Sequence, residues 1–104
     1  MSLGGPKPET RNDVKQSIVP FGSVPAVYEE LIDLGKDRVY EHIILANETD
    51  VDVIFKFEQV SEDSEMTLRG NREITLDDFP HWGTVKFKYV LGAPTTGSVH
   101  HYTW

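Results

Sequence analysis

The chain has 104 residues, 17 acidic against 10 basic side chains, a net charge of −7 and no cysteine. A chain of this length forms one domain, because two separate cores would each be too small to offset the entropy of ordering the chain. Lack of cysteine excludes a disulfide framework, a thiolate metal site and a cysteine nucleophile, and the acidic balance argues against nucleic acid or an anionic membrane as partner, since both select lysine and arginine.

Residues 1–25 carry four of the six prolines (Pro6, Pro8, Pro20, Pro25) together with Gly4, Gly5 and Gly22. They hold few large apolar side chains, so they are expected to form a flexible extended arm. No basic start leads into an apolar run, so a secretory signal is not expected. No window approaches the roughly 18 apolar residues that a membrane span requires. Ile18, Val19 and Phe21 stand out within this arm. Three apolar residues between prolines need a surface to bury against, either the body of the domain or a neighbouring chain.

The β domain is expected over 26–104. In Ala26–Leu34 the residues Val27, Leu31 and Leu34 have helical spacing, whereas Val24, Ala26 and Tyr28 alternate; strand and helix both remain open there. Gly35-Lys36-Asp37 reads as a turn. Arg38–Ala46 reads as a strand with Val39, Ile43 and Leu45 on one face and Tyr40, Ile44 and Ala46 on the other, so both faces are covered. Asn47-Glu48-Thr49-Asp50 is a turn built of residues that bond their own backbone. Val51–Glu58 alternates, with Val51, Val53, Phe55 and Phe57 inward, Asp52, Lys56 and Glu58 outward, and Ile54 an apolar exception among the outward residues. Residues 38–58 together predict a hairpin.

Ser61–Glu65 is a polar loop, Met66 and Leu68 alternate with polar neighbours, and Gly70-Asn71 is a turn. Ile74 and Leu76 begin a short strand, and Asp77–Trp82 is a connection. Thr84–Leu91 has Val85, Phe87 and Tyr89 inward and Lys86 and Lys88 outward. A tight loop over Gly92–Gly97 precedes a last strand, Val99–Trp104. The whole predicts an all-β fold, a small antiparallel β-sandwich or barrel of about six or seven strands.

GTVKFKYVLGAPTTGSVHHYTW resembles the closing hairpin of small virion structural proteins of tailed bacteriophages, with its "VKYV"-type strand, "GAPTSG"-type loop and final aromatic strand. RVYEHIILANETDVDVIFKF is similar to the opening hairpin of the same proteins, and EITLDDF to their linking strand. The resemblance spans Arg38–Trp104. It differs at the acidic Ser61-Glu62-Asp63-Ser64-Glu65, where those proteins are often glycine-rich, and at His100-His101. It implies a capsid decoration (cement) protein that binds the major capsid protein from outside, or else a head-fibre, tail or neck component. It also implies a homo-oligomer, with a trimer at a local three-fold favoured, located in the virion after assembly in the host cytoplasm.

The residues that could carry chemistry have simpler readings. His100 and His101 are adjacent, so on a strand they point to opposite faces and cannot share one metal. With His42 and His81 they read as surface or interface side chains, and no metal or other cofactor is expected. Asn47, Glu48, Asp50 and Asp52 lack the spaced oxygens and distal glutamate of an EF-hand. Asp77-Asp78 has no nucleophile or cleft beside it, so no enzyme activity is expected. Phe79, Trp82, Tyr102 and Trp104 read as an end cap of the core, an intersubunit contact, or the stacking platform of a carbohydrate- or receptor-binding module. The expected partner-binding residues are Ile18, Val19 and Phe21 in the arm, and Tyr40, His42, Ile44, Tyr102 and Trp104 between subunits.

Overall fold

A computed structural model describes residues 15–35, 40–58, 63–77 and 82–104. Eight strands are present among them: β1 Lys15–Pro20, β2 Glu29–Asp33, β3 Ile43–Asn47, β4 Val53–Glu58, β5 Asp63–Leu68, β6 Arg72–Leu76, β7 Thr84–Tyr89 and β8 Ser98–Thr103. One short 3-10 turn, Phe21–Ser23, follows β1. Large apolar residues at alternate positions select the extended chain, because a strand sends successive side chains to opposite faces. In β4, Val53, Phe55 and Phe57 are buried and the residues between them are not. In β7 the same holds for Val85 and Phe87.

The pairing is nested. β1 pairs with β8, β2 with β7, β3 with β6 and β4 with β5, all antiparallel. The chain is therefore one long hairpin with its bend between β4 and β5, rolled so that β3 also pairs with β8 and β4 with β7. Two four-stranded sheets result: sheet A, ordered β1-β8-β3-β6, and sheet B, ordered β2-β7-β4-β5. This is the strand order of an eight-stranded jelly roll. The core between the sheets contains Ile43, Leu45 and Val99 from sheet A and Val53, Phe55, Val85 and Phe87 from sheet B.

This wrapping corrects several expectations. Residues 38–58 are not a hairpin, because β3 lies in sheet A and β4 in sheet B. Ile43 and Leu45 thus belong to the core layer opposite Val53 and Phe55 instead of lying beside them. The GTVKFKYV…HHYTW segment is likewise no hairpin, with β7 in sheet B and β8 in sheet A. The arm expected over 1–25 is divided. Residues 15–20 form an edge strand in unbroken register with β8, and Val24 and Pro25 join the body, where Tyr89 N–H donates to Pro25 O at 3.0 Å. Only one side of β1 faces the core, which is why its apolar content is too low to signal a strand. Residues 1–14, with Pro6 and Pro8, lie outside the described residues, as do Lys36, Asp37, Val39, Ser61, Glu62, Asp78, Phe79 and His81.

The ambiguous 26–34 segment contains no helix; its strand is β2, Glu29–Asp33. A bulge between Glu30 and Ile32 adds one residue against β7. That insertion breaks the two-residue period and gives Leu31 and Leu34 their helix-like spacing.

Residues 48–52 arch over one end of the sandwich, and buried Asn47 holds the arch. Its Nδ2 donates to Val51 O at 2.7 Å and to Leu68 O at 2.8 Å. Its Oδ1 accepts from Thr49 N–H at 3.1 Å and from the Thr49 hydroxyl at 2.6 Å. Thr49 is itself buried. Asn47→Ala takes the side-chain partner from Leu68 O and Thr49 N–H, each at a cost on the order of 1–3 kcal/mol, whereas the Thr49 hydroxyl keeps its bond to Val51 O at 3.0 Å. The expected loss is about 3 kcal/mol, read as a lower denaturant midpoint in guanidinium unfolding.

His101 also departs from expectation. It is a core residue, not a surface or interface histidine, because its strand parity aims it between the sheets. Its Nε2 is hydrogen-bonded to Thr103 Oγ1. Among the described residues, His101 Nδ1 and Ser17 Oγ are buried without a hydrogen-bond partner. Burial, then the positive charge of Lys15, push its pKa down to about 4 from 6.5. The unfolded chain protonates His101 below pH 6.5 while the folded chain does not until about pH 4. Stability therefore falls as pH falls through that window, by about 3 kcal/mol from this group, and the loss levels off below it. Urea titrations across the window should show this slope, and His101→Leu should flatten it.

Candidate functional site

The two outer faces of the sandwich differ in chemistry. On sheet B the exposed side is a lattice of charges. Lys86 Nζ lies 3.2 Å and Lys56 Nζ 3.5 Å from Glu58 carboxylate oxygens. The Tyr28 ring lies under the Lys88 and Lys56 ammonium groups, at 4.9 and 5.3 Å from its centroid, and its hydroxyl donates to Glu65 Oε2 at 2.9 Å. Burial, then the hydrogen bond and charge of Glu65, push the Tyr28 phenol up to about 12, so it remains a donor at any physiological pH. Such a face is well solvated, and its lysines are held by Glu58 and the Tyr28 ring.

Sheet A turns a different surface outward. Strand register places Tyr102 between Gln16 and Ile44, and His100 between Ile18 and Ala46. Thr75 and Glu73 of β6 complete the two rows beside Ile44 and Ala46. At one end of this face Trp104 O accepts from the backbone N–H groups of Glu41 and His42, at 3.1 and 3.0 Å, and Trp104 N–H donates back to His42 O at 3.0 Å. These bonds fix the Trp104 ring over the His42 ring, with centroids 4.9 Å apart and planes 23° from parallel. Tyr102 meets the same indole at 5.3 Å and 56°. His42 Nδ1–H donates to the Asp77 carboxylate at 2.7 Å, which sets the ring's orientation. Tyr102 and Trp104 remain 40% and 37% exposed. At the other end His100 Nε2 lies 2.7 Å from Ser98 Oγ and 3.4 Å from Glu48 Oε1.

The structure thus gathers His42, Ile44, Tyr102 and Trp104 of the expected intersubunit set on one face. It removes Tyr40, which is 3% exposed and part of the core, so it is not available to a partner. The expected arm residues separate. Ile18 points outward on the same face as Tyr102, 67% exposed. Val19 packs on the protein's own core, so it does not reach a neighbour. Phe21 sits at the arched end, exposed, with its N–H bonded to Gly97 O at 3.0 Å. Trp82 is half-buried ahead of β7.

His100 and Asp77 were absent from the expected set. His100 shares strand parity with Tyr102, a signal present in the sequence. Asp77 meets His42 through the β3–β6 pairing, 35 residues away in the chain, which no local pattern encodes. The acidic turn residues use their oxygens internally. Thr95 donates its N–H at 2.9 Å and its hydroxyl at 2.6 Å to Asp50; the hydroxyl bond first, then the N–H, hold the Asp50 carboxyl below its usual range.

No protein-family model, curated protein or solved structure matches the chain.

Trp104 is the keystone of the aromatic group. Trp104→Ala removes two ring contacts of the kind worth about 1 kcal/mol each. Because the backbone bonds to His42 survive, urea unfolding should show a loss of about 1–2 kcal/mol with the far-ultraviolet circular dichroism unchanged.

Proposed function

We propose that the chain is a structural subunit of a tailed-phage virion, a decoration protein that binds the shell of the major capsid protein from outside through the outer face of sheet A. The observation that carries this reading is the contrast between the two sheet faces. Sheet B presents charged side chains, with Lys56 and Lys86 paired to Glu58, whereas sheet A presents Ile18, Ile44, Tyr102 and Trp104 on a rigid ladder, with Glu73 and Asp77 along its β6 side. Exposed rings on a fixed backbone supply contact area at little entropic cost, which is what a partner surface uses. The net charge of −7 repels packaged DNA and favours the outer side of a shell.

The strand order is found in both capsid proteins and lectins, so fold alone favours neither. The ring geometry weighs against a sugar platform. One side of the Trp104 indole is stacked by His42 and Tyr102 is tilted 56° to it, so the pair offers no flat shared surface for a pyranose.

The test is co-sedimentation with empty heads of the particle. Wild-type protein pellets with the shells, the double variant Tyr102→Ala/Trp104→Ala stays in the supernatant, and Lys88→Gln on sheet B pellets as wild type. Failure of wild type to pellet, or equal loss in the Lys88 variant, would refute the assignment to this face.

A further inference from the structure

A sheet edge exposes unpaired N–H and C=O groups, and proteins guard such edges with charges, bulges or proline. Among the described residues four strands are edges: β1 and β6 in sheet A, β2 and β5 in sheet B. β2 carries Glu29, Glu30 and Asp33 and is bulged. β5 carries Glu65, and β6 begins with Arg72 and Glu73. β1 differs. From Gln16 to Val19 it has no charge, its register with β8 is unbroken, and Ile18 stands 67% exposed on it. Its guards are confined to its ends, Lys15 and Pro20.

We propose that β1 is a pairing edge whose occupant is β1 of a second copy, giving an antiparallel two-fold dimer with a continuous eight-stranded sheet. The choice of a second copy follows from charge. Two copies each carrying −7 repel over most of their surface. Pairing β2 with β2 would set Glu29, Glu30 and Asp33 against their own images, and the edges of β5 and β6 also carry charge, Glu65 on one and Arg72 with Glu73 on the other. β1 against β1 brings together an uncharged strand and itself, the self-complementary contact of a two-fold interface.

Side-chain alternation restricts the register, since a one-residue slip would exchange the faces. Ile18 opposite Ile18 keeps both outward sets on one side and places an apolar pair on the two-fold axis, with Ser17 opposite Val19 on the inner side. Proline at position 20 has no N–H, so the ladder is short. The aromatic groups of the two copies then share one face, which doubles the surface offered to a shell. Pairing does not require that shell, so it can fail or hold independently of the decoration role. It replaces the three-fold grouping expected from the resemblance with a two-fold one.

Light scattering after size exclusion tests this on the full chain. The expected mass is about twice 11.8 kDa. Ile18→Lys places two like charges on the axis and should halve the mass. Because Ile18 is exposed, its circular dichroism and melting should match wild type, and Ile18→Glu provides a second variant of opposite sign. Tyr102→Ala should keep the dimer. A monomeric or trimeric wild type would overturn the proposal, as would a dimer lost in Tyr102→Ala but kept in Ile18→Lys, which would mean face packing. Removal of residues 1–14 should leave the dimer intact. A wild-type monomer that dimerises only after that removal would show the edge occupied by the chain's own N-terminal residues, which also refutes pairing in the full chain.

Discussion

The arch over residues 48–52 fixes how every other strand can lie. A chain leaving β3 could turn back at once and form a two-stranded ribbon; it instead crosses to the other sheet. The crossing requires backbone groups of the arch to be satisfied out of water, and the Asn47 side chain does so from within, bonding Val51 O and Leu68 O. The neighbouring loops then close on the arch backbone. A Cβ on Gly97 would fall 1.9 Å from Glu48 O, and one on Gly70 2.9 Å from Thr49 O. Gly97 also has φ +90, a conformation in which a side chain is strained. Glu48 N–H donates to Ser98 O at 2.8 Å, tying the start of β8 to the arch. Two loops distant in sequence are thus glycine at the point of contact because a third loop runs against them.

Once β3 and β4 occupy different sheets, the nested pairing follows with few choices left. β5 can pair with β4 because only the β4–β5 connection joins consecutive strands within one sheet. β6, β7 and β8 then return beside β3, β2 and β1, each across the sandwich from the last. Among the described residues this order leaves β1 with a neighbour on one side only. It also aligns Tyr102, Ile44 and Ile18 on one outward face, although they come from three separate strands.

Much of this was legible in the sequence where the signal is local. The alternation of Val53, Phe55 and Phe57, and of Val85 and Phe87, marks strands and their inward faces, and all five are buried. Adjacent His100 and His101 do point to opposite faces, as strand geometry requires. What period-2 patterning does not encode is which strand lies beside which. An arch and a hairpin turn draw on the same Asn, Thr and Asp residues, so the 38–58 and 84–104 pairs read as hairpins although they cross the core. The same blindness hides the Asp77–His42 contact and the burial of Tyr40. β1 was missed for a different reason. Only Val19 of its six residues packs on the core, and an edge strand with so little inward apolar content has the composition of an arm.

That low content has a thermodynamic consequence for sheet A. Beneath β1 the core is polar, with the unpartnered Ser17 Oγ and His101 Nδ1 facing each other in register, so the β1–β8 seam gains little from apolar burial and carries the cost of two unpaired buried groups. Backbone hydrogen bonds along the β8 ladder therefore hold most of β1 in place. A strand held chiefly by its ladder is ordered further by any partner that hydrogen-bonds its open side, because binding only the folded arrangement stabilises it. Among the described residues, the same seam contains the one histidine that acid would have to charge inside the core. Stability at the edge of sheet A, its response to pH and its capacity to take a neighbour thus rest on one strand whose inward face contains more polar than apolar side chains.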